Sequence, residues 1–148
     1  MNIFLDTNVI MDHLAARGDM ENVGKIFHAL EEGSFHAFIS VGSYYTITYL
    51  LELFLKNKGV SNPERLVMLR DILESLLAWI DIAEHSKADL LIGTMNEQFK
   101  DLEDSYQYQA AIASDCSYLV TSNLKDFPIS DNASVSVVSP SEFVQALL

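Results

Sequence analysis

The chain has 148 residues, 49% of them hydrophobic, a formal net charge of −12 and a single cysteine, Cys116. That length and apolar content suit one domain, expected over residues 1–148, and exclude a disordered chain. One thiol excludes an internal disulfide framework and fits a reducing cytosol, while the acidic balance excludes any binding of nucleic acid by the net field alone.

Residues 2–6 predict a first strand, an apolar run closed by Asp6. Asn8 is the expected cap of a helix carrying Val9, Ile10, His13 and Leu14. A second helix spans Met20 to Glu32, with Val23, Ile26, Phe27 and Leu30 at helical spacing and Gly33 as its stop. Ser34 to Ile39 reads as a strand. Ser40 then caps a long helix that runs through Leu55 and ends in Lys56, Lys58 and Gly59, a basic and glycine-terminated end that suits the helix dipole. Ser61-Asn62-Pro63-Glu64 has the pattern of a capping box before a helix reaching about Ala78. Trp79–Ile82 is a weak strand, and His85 to Gln98 a helix with Ser86 as candidate cap. Leu102 to Ser114 is helical, Tyr118 to Val120 and Val135 to Val138 are strands, and Ser139-Pro140-Ser141-Glu142 opens a short last helix. Strands alternating with helices predict a mainly parallel α/β sheet. The first apolar run is broken by Asp6, Asn8 and Asp12, unlike a secretory leader. No stretch reaches the ~20 apolar residues of a membrane helix, so a soluble cytoplasmic protein is expected.

The chemistry concentrates in three places. Asp6 ends an apolar strand, and at the carboxyl edge of an open α/β sheet ligands bind. It either accepts hydrogen bonds from the next helix or ligates a cation, because a buried unpaired carboxylate is costly. Asp101, Glu103 and Asp104 crowd a helix start, where acids also serve the dipole alone. Ala110, Ala111 and Ala113 let that helix pack closely on the sheet and aim its first turn at the same edge. Thr121, Ser122, Asn123 and Asp126 follow the strand Tyr118–Val120, where loop polarity is the plain alternative. Oxygen donors converging from these places would suit Mg²⁺ or Mn²⁺. His13, His28, His36 and His85 lack metal-ligand spacing. No Gly-rich phosphate loop, G-x-S-x-G elbow or Cys-x-x-Cys pair is present, which argues against nucleotide-hydrolase, serine-hydrolase and zinc chemistry.

At these residues the sequence resembles the PIN-domain family, the metal-dependent ribonuclease fold of VapC-type toxins. The resemblance rests on Phe4-Leu5-Asp6-Thr7-Asn8-Val9, on Leu102-Glu103-Asp104-Ser105-Tyr106-Gln107 running into Ala110-Ala111, and on Leu119-Val120-Thr121-Ser122-Asn123-Leu124-Lys125-Asp126-Phe127. It implies a single three-layer α/β/α domain with a mainly parallel central sheet. It implies metal ligation by Asp6, Asp104, Asn123 and Asp126, of which Asp6, Asp104 and Asp126 are the expected catalytic acids. Thr7, Asn8, Thr46, Glu103, Thr121 and Ser122 are the expected supporting residues, and Lys125 the expected substrate contact. Thr46 stands where the family places a glutamate, and Asn123 where many members carry aspartate, although one bacterial branch shares Asn-x-x-Asp-Phe. The implied activity is Mg²⁺- or Mn²⁺-dependent hydrolysis of RNA phosphodiesters, reduced by the missing charges, by the toxin of a type II toxin–antitoxin pair. The implied partners are RNA, a small antitoxin and a second copy of the chain. The competing readings are a catalytically weak PIN-like module that binds protein or RNA and, third, a metal-dependent hydrolase of small phosphoesters. The other basic residues, Lys56, Lys58, Arg65, Arg70 and Lys100, are expected to be solvated. Tyr44, Tyr45 and Tyr49 are expected to serve packing rather than base stacking.

Overall fold

A computed structural model describes residues 1–128 and 133–148. Five strands, β1 (Asn2–Leu5), β2 (His36–Ile39), β3 (Ile80–Ile82), β4 (Tyr118–Val120) and β5 (Ser136–Val138), form one sheet in the order β3-β2-β1-β4-β5. Every neighbouring pair is parallel; Phe4, for example, lies between Phe38 of β2 and Leu119 of β4. The expected α/β architecture is therefore present. Parallel strands buried on both faces need near-continuous apolar runs, and Ile3-Phe4-Leu5 and Leu119-Val120 supply them.

Strand alternation divides the core between the two faces. Ile3, Leu5, Ala37, Ile39 and Val120 point to one side, and meet residues of α1 (Thr7–Leu14), α2 (Met20–Glu31), α3 (Val41–Asn57), α4 (Glu64–Trp79) and α7 (Pro140–Leu147). Phe4 and Leu119 point to the other, against Ala110 and Ala111 of α6 (Leu102–Ala113), Phe99, Phe127 and Cys116. The helix α5 (Lys87–Met95) packs on α6. Burial and the neighbouring Asp115 push the Cys116 thiol up to about 12, so it is an inert packing group.

Several ends differ from the sequence expectation. The cap of α1 is Asp6, which accepts from the Thr7 amide at 2.8 Å, rather than Asn8. Ser61 forms no capping box: the chain still turns through Pro63, and α4 starts at Glu64 without a side-chain cap. The helix expected over 85–98 is shorter. Ser86 and Asp89 form a true capping box at its start, and at its end Asn96 leaves helical geometry while its side chain accepts from the Gln98 amide at 3.1 Å, a local bond that competes with helix continuation. Tyr44 packs on the larger core, whereas Tyr45 and Tyr49 are exposed. No helix among the described residues is long and apolar enough to cross a membrane.

Chain order and sheet order together position the site. From β1 the sheet grows through β2 and β3 on one side and β4 and β5 on the other. The connections leave β1 and β4 in opposite directions, and open α/β sheets bind ligands in the crevice at such a switch point.

Candidate functional site

Asp6 follows β1 directly and Thr121 follows β4 directly, so both stand at that crevice. Asp6 is only 5% exposed. One oxygen, Oδ1, accepts from the Thr7 amide at 2.8 Å and from Gln107 Nε2 at 3.4 Å, and Oδ2 accepts from Thr121 Oγ1 at 2.8 Å. An ionised carboxylate offers about four acceptor positions, so this network leaves room for a further ligand. Burial raises the Asp6 pKa; the bonds from Thr121, Thr7 and Gln107 pull it back, and the charge of Asp126 raises it again.

Asp104 lies in the first turn of α6. The capping duty there belongs to Asp101, whose Oδ1 accepts from the Glu103 amide at 2.8 Å and the Asp104 amide at 3.3 Å. The Asp104 carboxylate is thus not consumed by its own helix end. Its pKa is pushed up to about 7, first by burial, then by the charges of Asp6, Asp101, Asp126 and Glu103. Asp126 sits in a single 3-10 turn, Leu124–Asp126, behind β4. Asp6, Asp104 and Asp126 come from three separate elements into one another's field. Among the described residues none of them is ion-paired with lysine, arginine or histidine.

Two clefts meet at Asp104. The smaller, about 190 Å³, is lined by Asp6, Thr7, Asn8, Met11, Arg17, Leu50, Glu103, Asp104 and Asn123. The larger, about 470 Å³, is lined by Gln98, Lys100, Asp101, Asp104, Lys125, Asp126 and Pro128. Asn123 and Asp126 thus open onto different clefts. Among the described residues, no three histidine, cysteine, aspartate or glutamate side chains form a group able to hold a metal ion in the positions seen. The donor chemistry nevertheless fits a hard divalent cation. The charge of Asp126 raises the proton affinity of Asp6, and those of Asp6 and Asp126 raise that of Asp104, a repulsion that a cation relieves; a cation binding few protein oxygens keeps waters in its remaining positions.

The supporting residues fall into place unevenly. Thr7 Oγ1 and Ser43 Oγ share a hydrogen bond at 2.8 Å. Asn8 Oδ1 accepts from the Ser122 amide at 3.5 Å, tying the first turn of α1 to the loop after β4. Thr121 Oγ1 also accepts from the Asn123 amide at 3.0 Å. Glu103 is exposed and lines the smaller cleft. Thr46 is half-buried, on the face of α3 shared by Ser43 and Leu50, and lines neither cleft.

Two residues escaped the sequence reading. Arg17 lines the smaller cleft, held by Asp12 at 3.2 Å; it follows α1 in a loop with no motif of its own. Gln107 is 2% exposed and bonds to Asp6, Thr7, Ser40 and Ser43. Its signal was available: it lies three residues after Asp104, on the same helix face and among residues expected to pack on the sheet.

A family model described as PIN domain matches residues 2–125. Among solved structures the fold is similar to a chain of VapBC2 from Rickettsia felis, crystallised bound to a DNA fragment from their promoter. That match has TM-score 0.60 and 18% identity, and covers 94% of this chain and 98% of that chain. No curated protein matches the sequence. A likeness at this identity speaks for the fold, and the family match runs from β1 to the turn behind β4, through both strand ends that frame the crevice. The chain belongs to the PIN domain family.

Proposed function

We propose that this chain is a divalent-metal-dependent endoribonuclease that hydrolyses RNA phosphodiesters and serves as the toxin of a type II toxin–antitoxin pair. The observation that carries the reading is that Asp6, Asp104 and Asp126 stand in one another's field around the switch point without a cationic partner among the described residues, with Asp104 driven up to about 7 by burial and then by the neighbouring charges. The similarity to a chain of a VapBC2 assembly supports the toxin role and an antitoxin partner. A homodimer and a cytoplasmic location go with the same reading.

Asp6, Asp104 and Asp126 would hold Mg²⁺ or Mn²⁺, with Asn123 offering a neutral carbonyl. When bound, such an ion lowers the pKa of a water and relieves charge on the phosphate. The chain's own part is orientation. Thr7, Thr121 and Gln107 fix Asp6, and Asp101 takes the helix-capping duty that would otherwise compete for Asp104. Arg17 on one side of the acids, and Lys100 and Lys125 on the other, would hold the phosphates of a substrate strand. These three are a third of the nine lysines and arginines in the chain, so the few cations it has favour this region.

Incubation of single-stranded RNA with the protein and Mn²⁺ tests the reading. Cleavage that needs Mn²⁺ and is lost in Asp6→Asn supports it; intact RNA with bound protein supports instead a binding module. That second reading is favoured by Thr46, which supplies no charge from α3, and by the net charge of −12.

A further inference from the structure

Gln107 projects from α6 one turn beyond Asp104, and its amide is enclosed. Its Oε1 accepts from Ser40 Oγ at 2.7 Å. Its Nε2 faces Ser43 Oγ, Thr7 Oγ1 at 3.2 Å and Asp6 Oδ1 at 3.4 Å. Ser40 is itself fixed as the cap of α3, accepting from the Ser43 amide at 3.0 Å. One buried amide therefore joins α6, the head of α3 and the tip of β1. It donates towards the carboxylate, and no other side chain of α6 hydrogen-bonds to Asp6 among the described residues.

We propose that Gln107 is a positioning residue of the metal centre: anchored by Ser40 at one end, it holds Asp6 from the α3 side with a neutral donor and so fixes how that carboxylate meets the cation. This rests on the metal-dependent reading above. A polar residue with a purely structural role would satisfy buried groups and stop there. Gln107 differs because its two N–H donors face Ser43 Oγ, which itself bonds to Thr7, together with Thr7 Oγ1 and Asp6 Oδ1. Partners that orient a metal ligand typically matter by ~10–100-fold in metal affinity.

Calorimetric titration of the full chain with Mn²⁺, paired with thermal melts with and without Mn²⁺, tests this without using activity. Gln107→Met fills the same space and donates nothing; it is expected to bind Mn²⁺ about tenfold or more weakly than the unaltered chain. Gln107→Glu keeps the contact with Ser40 and turns a negative charge on Asp6. It is expected to melt below the unaltered chain without Mn²⁺ and to recover most of the difference at saturating Mn²⁺, because binding to the folded state alone raises its stability. If both variants bind Mn²⁺ as the unaltered chain does, and melt lower by the same margin in either condition, Gln107 is structural and the inference is overturned. If the unaltered chain itself takes up no Mn²⁺ at millimolar concentration, the metal reading falls and this inference with it.

Discussion

Asp104 is the residue on which opposing requirements meet. Its carboxyl belongs at 3.8 unperturbed and at about 7 in the fold. Between those values the folded chain binds more protons than the unfolded one, so stability falls as pH rises through that window. The metal-free protein is expected to melt progressively lower from about pH 4 to pH 7, and Asp104→Asn to flatten that slope, as read by thermal melts in matched buffers. Metal binding runs the other way. A ligating carboxylate must be ionised, so Mn²⁺ affinity should climb as pH passes through about 7 and should lose that dependence in Asp104→Asn. The acid itself was legible from its place at a helix start before a run of small residues. The resemblance also set it apart from Asp101, and the structure adds the physical reason, Asp101 accepting the helix amides and leaving Asp104 uncommitted.

At the scale of elements, the site depends on how α6 is seated. Its partner α5 approaches through Gly93, whose carbonyl accepts from Ser105 Oγ at 2.7 Å. A Cβ at Gly93 would lie 2.8 Å from Tyr106 Cδ1, and that ring is held by its hydroxyl to Thr94 at 2.8 Å. Gly93→Ala should therefore cost about 1–3 kcal/mol by overpacking, measured by denaturant unfolding. Because Ser105 adjoins Asp104, it should weaken Mn²⁺ binding as well. Asp101→Ala, which removes the α6 cap, should cost about 1 kcal/mol. The elements read best from sequence were those with long apolar periodicity, such as α2 and α3. Two readings that moved were set by side-chain hydrogen bonds, namely Asp6 capping α1 and Asn96 ending α5, where several polar residues in a row offered equal candidates; the third, the Ser61 capping box, failed because α4 starts after Pro63 with no side-chain cap. For Gln107 the helical spacing from Asp104 was legible, but a glutamine at that spacing is marked as part of the site only by its burial, which the structure supplies.

Over the whole molecule, a chain of charge −12 places Arg17, Lys100 and Lys125 around the clefts that share Asp104. If these carry the substrate contacts, salt dependence isolates them from the background field. Each neutralised phosphate contact on a single strand contributes about 0.7 to the slope of log affinity against log salt. Lys125→Ala should lower the slope by roughly that amount, read by fluorescence anisotropy of a short single-stranded RNA in the cleavage-deficient Asp6→Asn background; Lys56→Ala, at the far end of α3, should leave it unchanged. The parallel α/β order was plain in the alternation of elements, and the family in three short blocks. The two-cleft arrangement was not, since Arg17 reaches the acids only through tertiary packing.

The proposed function requires Asp6, Asp104 and Asp126 to share one divalent cation. Titration of the full chain with Mn²⁺, followed by loss of the free-ion electron paramagnetic resonance signal, asks this directly of the unaltered chain and of Asp6→Asn, Asp104→Asn and Asp126→Asn. Saturable uptake by the unaltered chain, weakened by each single substitution, is the expected result. Undiminished uptake in any one of the three, or none by the unaltered chain at millimolar Mn²⁺, would contradict it.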